Sequence, residues 1–243
     1  MLLNNKQWTA KDIAGRLDHT VLAPDATLAM IEKACELGRK YVFKSVVTNP
    51  CWAPTVAGLL KGSPVEACSV AAFPLGNTTT RNKVAEVAEI AALTEVHPLI
   101  SIDVVANLSL LKDKQYAAYT ADMKAVVDTV KERGVSVKAI LETALLSENE
   151  IAIACKCAVD AGITCVKTST GRGGPPSLSH IALMRRSIPD NVLVKFSGFG
   201  TLNSPELAIM AFLLGADLLG TPQGDLITDT LSQQFVMLKA QLM

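Results

Sequence analysis

The sequence predicts a (β/α)8 barrel of the TIM type, one domain spanning residues 1–243. Three observations predict it. Short apolar runs alternate with longer amphipathic segments eight times along the chain. No linker or composition break divides them. Polar and charged residues gather where the apolar runs end, which is where a barrel carries its chemistry. A doubly wound open sheet is the other arrangement this alternation allows.

The expected strands are Arg16–His19, Tyr41–Val47, Glu66–Ala72, Leu99–Val105, Ser136–Leu141, Thr164–Lys167, Val192–Lys195 and Asp217–Gly220. Several are continuous apolar runs, as in parallel strands covered on both faces. A helix is expected after each: Asp25–Gly38, Cys51–Leu60, Thr79–Thr94, Leu108–Arg133, Ser147–Ala161, Ser177–Arg186, Ser204–Leu214 and Leu226–Leu242. Pro24 and Asp25 open the first before Leu28, Ile31 and Ala34, and Gly38 closes it. Ser147 and Glu150 form a capping box, and Gly162 and Gly215 end their helices before a strand.

Composition narrows the function. Apolar residues make up 49% of the chain, and 23 basic residues balance 23 acidic ones. That balance points away from nucleic acid or an anionic membrane and towards a small molecule held by local charge. The first residues carry no signal-peptide core, and no stretch reaches the roughly 18 apolar residues of a membrane span. Six cysteines without a C-x-x-C array predict reduced, buried thiols and a cytoplasmic protein. Cys155 and Cys157 would point about 200° apart on a helix, which argues against a metal pair.

Two lysines stand out. Lys167 ends the run Cys165-Val166-Lys167 before Thr168-Ser169-Thr170-Gly171, and Lys195 repeats the pattern one βα unit later, before Phe196-Ser197-Gly198. On neighbouring strands two ammonium groups repel, and one is pushed towards the neutral amine that attacks a carbonyl. Either lysine alone can instead reach solvent or pair with Glu142. Asp103 lies among β-branched residues in Ile102-Asp103-Val104-Val105, where a carboxylate needs a partner. Facing the lysines, it can relay protons. Its alternative is a helix lysine. Asp18 is a second inward candidate, in Leu17-Asp18-His19-Thr20, while His19 alone reads more readily as a satisfied core histidine than as a catalyst.

Glycine-bearing loops follow the last three strands: Gly171-Arg172-Gly173-Gly174, Gly198-Phe199-Gly200 and Gly220-Thr221-Pro222-Gln223-Gly224. Their backbone N–H groups suit an anion such as phosphate, and Arg172 adds a charge. None matches a nucleotide-binding fingerprint.

Taken together, Leu17–Leu22, Ala72-Phe73-Pro74-Leu75-Gly76, Ile102–Val105, Val137–Thr143, Val166–Gly171 and Val194-Lys195 with Ser197-Gly198 resemble the deoxyribose-phosphate aldolase family, in its order across nearly the whole chain. The resemblance implies a class I aldolase that cleaves 2-deoxy-D-ribose 5-phosphate reversibly to acetaldehyde and D-glyceraldehyde 3-phosphate, without metal or cofactor. It implies Lys167 as the Schiff-base lysine, Lys195 as the neighbour that lowers its pKa, and Asp103 as acid/base. Asp18, Thr20, Thr170, Gly171, Arg172, Gly198, Gly200, Gly220 and Gly224 are the expected substrate-binding residues, and a homodimer or homotetramer is expected. The departures cluster at the phosphate end. Arg172 and Gly173-Gly174-Pro175 stand in the sixth loop, no arginine follows Gly198, and Pro222-Gln223 replaces a serine pair. Ala23 and Thr48 also depart from the family's frequent lysine and cysteine. A same-mechanism aldolase with a different or unphosphorylated substrate is therefore the alternative.

Overall fold

A computed structural model describes residues 2–3, 6–198 and 204–241. Eight parallel strands close into a barrel: β1 (Leu17–Val21), β2 (Ser45–Thr48), β3 (Glu66–Ala71), β4 (Ile100–Val105), β5 (Ser136–Ile140), β6 (Cys165–Lys167), β7 (Leu193–Phe196) and β8 (Leu218–Thr221). Each pairs with its sequence neighbour, and β8 closes on β1. Helices follow the strands: α1 (Leu28–Tyr41), α2 (Ala53–Leu60), α3 (Thr80–Ala92), α4 (Tyr116–Val130), α5 (Glu148–Asp160), α6 (Ser179–Arg186), α7 (Pro205–Leu213) and α8 (Gly224–Gln241). This is the barrel the sequence predicts, and not the open sheet.

Strand alternation sorts side chains into two environments. Residues such as Leu17, Val46, Ile102, Val137, Val166, Val194 and Leu219 join the main core beneath the helices. The interior is different. Among the described residues a small apolar cluster there joins Val47, Cys68 and Val70, with Leu22 and Phe73 packed against it. Barrel interiors are ordinarily layered with branched aliphatic side chains. Here Asp18, Ser45, Ser101, Asp103, Lys138, Lys167 and Lys195 are buried instead.

Several boundaries differ from expectation. Helix α1 starts at Leu28 with Thr27 as N-cap, not at Asp25, and continues through Gly38 to Tyr41. Gly38 is a packing residue: a Cβ there would lie 2.8 Å from Val46 Cγ2. Val42, in the left-handed region at φ 56°, ends the helix, so β2 begins at Ser45 and not at Tyr41. The expected helix Leu108–Arg133 is broken into Leu108–Lys112 and α4, because Lys114 turns the chain at φ 58°. That left-handed position carries neither glycine nor asparagine, so the break has no ordinary sequence mark. A one-turn helix, Ala10–Ala14, and a short antiparallel pair, Leu2–Leu3 with Lys6–Gln7, precede the barrel and were not expected. The capping box of Ser147 and Glu150 is present. Leu242 lies outside the described residues.

Candidate active site

Strand register places the charged residues on nearby rungs of the barrel. Lys167 is paired with Lys195, Asp103 with Lys138, and Gly220 with Asp18. Above them the ladder continues into the loops. The Thr168 amide donates to the Lys195 carbonyl at 3.0 Å, and Thr168 Oγ1 is bonded to both the carbonyl and the amide of Ser197. These bonds hold the ends of β6 and β7 side by side.

Inside, three lysines meet two carboxylates. Lys167 Nζ lies 2.8 Å and Lys195 Nζ 2.7 Å from the same Asp103 Oδ2. Lys138 Nζ lies 3.1 Å from Asp103 Oδ1. Lys195 Nζ and Lys138 Nζ form ion pairs with Asp18 Oδ2 at 2.5 and 3.7 Å, while Ser45 Oγ donates to Asp18 Oδ1 at 2.6 Å. Ser101 Oγ and Cys68 Sγ complete the surroundings of Lys138 at 3.0 and 3.4 Å.

The electrostatics separate the three amines. Burial pushes the Lys167 amine below its ordinary value; Asp103 opposes this and Lys195 reinforces it. Burial also acts to lower Lys195 and Lys138, but Asp103 and Asp18 outweigh it and hold both above the ordinary lysine value. For the carboxylates burial acts to raise, and the lysines outweigh it, so Asp103 lies well below the usual aspartate value and Asp18 below it. The nearby thiols of Cys68 and Cys165 are pushed up to about 12 by burial and stay neutral. With Lys167 neutral, two ammonium groups face two carboxylates and the buried cluster carries no net charge. An unbalanced charge there would be costly. Charge balance asks for one neutral amine among the three, and burial favours Lys167.

Lys167 is the member of this cluster that lines the cavity at the barrel's C-terminal face. The cavity has a volume of about 700 Å³. Lys195, Asp103 and Asp18 lie beneath the wall, with side chains fully buried. Thr20, Thr170, Gly171, Arg172, Gly198 and Gly220 line it, as do His19, Phe73, Ser197 and Pro222. Gly224 does not. It starts α8, and a Cβ there would lie 2.9 Å from the Phe43 ring and 3.2 Å from His19 Nδ1. Gly200 lies outside the described residues. Gly171 and Gly198 have φ 83° and 92°, and a Cβ on Gly198 would meet Ser169 Cβ at 2.8 Å, so the two loops touch only because both residues are glycine.

Glu142, on the αL turn after β5, does not pair with a lysine of the cluster. Its carboxylate accepts from the Thr170 hydroxyl at 2.5 Å and the Thr170 amide at 3.2 Å. His19 stacks on Phe43 with ring centroids 5.3 Å apart, and burial lowers its pKa against the pull of Asp225. Lys138 was not singled out from the sequence. The available signal was register: in the strand pattern Lys138 stands level with Asp103, with Val137 and Ala139 turned to the outer core. Among the described residues, no group of three or more His, Cys, Asp or Glu side chains is placed to hold a metal ion. None of their helices is long and apolar enough to cross a membrane.

An eight-stranded parallel barrel with a cavity at the C-terminal ends of its strands defines an enzyme of the barrel-aldolase class, a carbon–carbon lyase. The relatives are specific. The chain is 40% identical over 209 residues to deoxyribose-phosphate aldolase of Brevibacillus brevis, covering 86% of this chain and 91% of that protein. It is 38% identical over 231 residues to deoxyribose-phosphate aldolase of Caldanaerobacter subterraneus, covering 94% and 97%. The tetrameric deoxyribose phosphate aldolase of Aeropyrum pernix superposes with a TM-score of 0.83 at 28% identity, over 91% of this chain and 92% of that one. No family model matches the chain. At these identities and coverages it belongs to the deoxyribose-phosphate aldolase family.

Proposed function

We propose that this barrel, taken as one domain over residues 1–243, catalyses the reversible cleavage of 2-deoxy-D-ribose 5-phosphate through a Schiff base on Lys167. The single observation that carries the reading is the shared oxygen of Asp103, which takes protonated Lys195 on one side and the cavity-facing amine of Lys167 on the other. The neutral amine adds to the open-chain aldehyde, and loss of water from the carbinolamine gives the iminium. Removal of the proton from the C3 hydroxyl breaks the C2–C3 bond and releases D-glyceraldehyde 3-phosphate. The electron pair of that bond becomes an enamine on Lys167. Protonation of the enamine carbon and addition of water then release acetaldehyde and restore the amine. Asp103, with Lys195 and Lys138 behind it, is the proton store nearest these steps.

Borohydride reduction in the presence of acetaldehyde tests the covalent step. Mass spectrometry is expected to find an ethyl group on Lys167; an unmodified Lys167 refutes the assignment. Comparison of 2-deoxyribose 5-phosphate with 2-deoxyribose tests the phosphate, with the phosphorylated sugar expected to be cleaved faster. We also propose a homo-oligomer, supported by the tetrameric relative. A cytoplasmic location is supported by six unpaired cysteines, of which only Cys51 is exposed.

A further inference from the structure

Cleavage needs a base for the proton of the C3 hydroxyl, and the carboxylates beneath the cavity are poorly placed to be that base. Asp103 is fully buried, with Lys167 and Lys195 on Oδ2 and Lys138 on Oδ1. Asp18 is buried against Lys195 and Ser45. Lysines hold both below the ordinary aspartate value, which makes them weak bases.

Glu142 is different. It is buried, its partners are the Thr170 amide and hydroxyl, and among the described residues no cation pairs with it. It stands at φ 54° and ψ 55°, a left-handed conformation that is costly for a residue with a side chain. Strain of this kind clusters at active sites. Here it aims the carboxylate at the loop after β6. Gly173 closes over the acid: a Cβ there would lie 3.0 Å from Glu142 Cγ and Cδ.

Thr170 links this acid to the cavity. Its hydroxyl has one proton and two lone pairs. A carboxylate only accepts, so the proton is committed to Glu142 Oε2 at 2.5 Å. The Arg172 amide only donates, and it occupies one lone pair at 3.0 Å. One lone pair is left, and Thr170 lines the cavity together with Lys167. Thr170 is therefore set to accept from a ligand hydroxyl, not to donate to it.

Building on the Schiff-base reading, we infer that Thr170 is a further catalytic residue and that Glu142 is the positioning residue behind it. Thr170 Oγ1 takes the proton of the C3 hydroxyl as the C2–C3 bond breaks, and its own proton passes to Glu142 Oε2. The electron pair of the C3 O–H bond closes the carbonyl of the released aldehyde, and the C2–C3 pair becomes the enamine on Lys167. A positive iminium and a negative carboxylate are neutralised together, so the step leaves no unbalanced buried charge. Addition runs the same transfers in reverse. Asp103 and Lys195 are left with the carbinolamine and the enamine carbon.

Two reactions of the whole enzyme separate these roles. Cleavage of 2-deoxyribose 5-phosphate needs the C3 proton removed. Exchange of the acetaldehyde methyl protons in D2O, followed by NMR, passes through the imine and enamine on Lys167 but involves no C3 hydroxyl. Glu142→Gln keeps the size of the side chain and can still accept from Thr170, but it cannot take up a proton. It is expected to lower kcat for cleavage about 10²-fold or more with KM little changed, while methyl exchange persists. Thr170→Val is expected to show the same split, Thr170→Ser to keep most of the cleavage activity, and the Glu142→Gln, Thr170→Val pair to lose little more than either alone. The exchange rate reports on folded, imine-forming enzyme in every variant. Undiminished cleavage in Glu142→Gln overturns the inference, and so does exchange that falls in step with cleavage, which would mark a loop-shaping role. Native enzyme that neither exchanges these protons nor is trapped by borohydride on Lys167 refutes the Schiff-base reading itself.

Discussion

Lys167 and Lys195, paired on adjacent strands, converge on a single oxygen of Asp103 at 2.8 and 2.7 Å. The two amines are chemically alike but unequal in surroundings. Lys195 also has Asp18 at 2.5 Å and keeps its proton, while Lys167 shares its one carboxylate oxygen and faces the cavity.

Replacement of Lys195 tests that asymmetry. Lys195→Met removes the cation that helps to keep Lys167 neutral. We expect kcat to fall about 10²- to 10⁴-fold, the range for loss of a positioned proton-transfer group. The pH at which kcat/KM rises is expected to move upward, because Lys167 then has Asp103 without a competing neighbour. An unchanged profile, measured from pH 5 to 10, contradicts the coupling.

Asp103→Asn has the opposite electrostatic effect. It leaves three lysines with Asp18 as their carboxylate, so Lys167 loses its proton more easily. Imine formation and catalysis then part company. Borohydride trapping of acetaldehyde on Lys167 is expected to persist at pH 7, while turnover of 2-deoxyribose 5-phosphate falls about 10²-fold or more. Loss of both together points to a structural role only.

Lys83 offers a comparison outside the cavity. Its ammonium, 1% exposed, binds Asp122 at 2.6 Å and the Val105 carbonyl at 3.0 Å, tying α3 to α4 and to the end of β4. Removing one partner of a buried pair costs about 3–5 kcal/mol, whereas replacing both with apolar groups is often neutral. Lys83→Met is expected to lower stability by that amount in urea unfolding, and Lys83→Met with Asp122→Leu to regain most of it. Additive losses in the double variant refute the pairing.

The barrel was legible because each βα unit repeats one pattern, and eight repeats fix a ring even when single boundaries slip. The boundaries that slipped did so where tertiary packing overrides local marks. Gly38 reads as a helix end, but lies inside the last turn of α1 and is glycine because Val46 leaves no room for a Cβ. Lys114 reads as helix interior, but bends the chain. In the site, Lys167 and Lys195 were legible as charges near strand ends, and Asp103 as a carboxylate among β-branched residues. Lys138 was not, because it stands in the middle of its strand and reaches the cluster through the register of β5 on β4. Glu142, the alternative partner for a lone lysine, is aimed at Thr170 by its αL turn.

Acid should weaken the fold through the same cluster. Asp103 and Asp18 have folded values below the unfolded aspartate value of 3.8. As pH falls, the unfolded chain takes up these protons first, so stability declines. Their contribution is complete above the unfolded value and is lost as pH falls through the folded ones. Urea midpoints are expected to stay level from pH 5 to 7 and to drop below about pH 4. Asp103→Asn should flatten that drop, and a midpoint level down to pH 3 in the native protein contradicts it.

The third lysine gives the strictest test of the charge argument. Lys138 contacts Asp103 on the oxygen that Lys167 and Lys195 leave free, at 3.1 Å, and its charge makes the balance of two against two possible without Lys167. In Lys138→Met, two carboxylates remain against Lys195, and Lys167 must keep its proton to balance them. Activity and borohydride trapping are then expected to be low at pH 7 and to recover as pH rises, with the ascent displaced upward by about one pH unit or more. A purely structural defect would lower activity evenly at every pH. Adding Asp18→Asn removes the excess carboxylate, leaving Asp103 against Lys195, so Lys167 is again free to be neutral. The double variant is expected to return the ascent towards its original position although it carries one more lesion. If the second substitution leaves the profile where Lys138→Met put it, net charge is not what sets the state of Lys167.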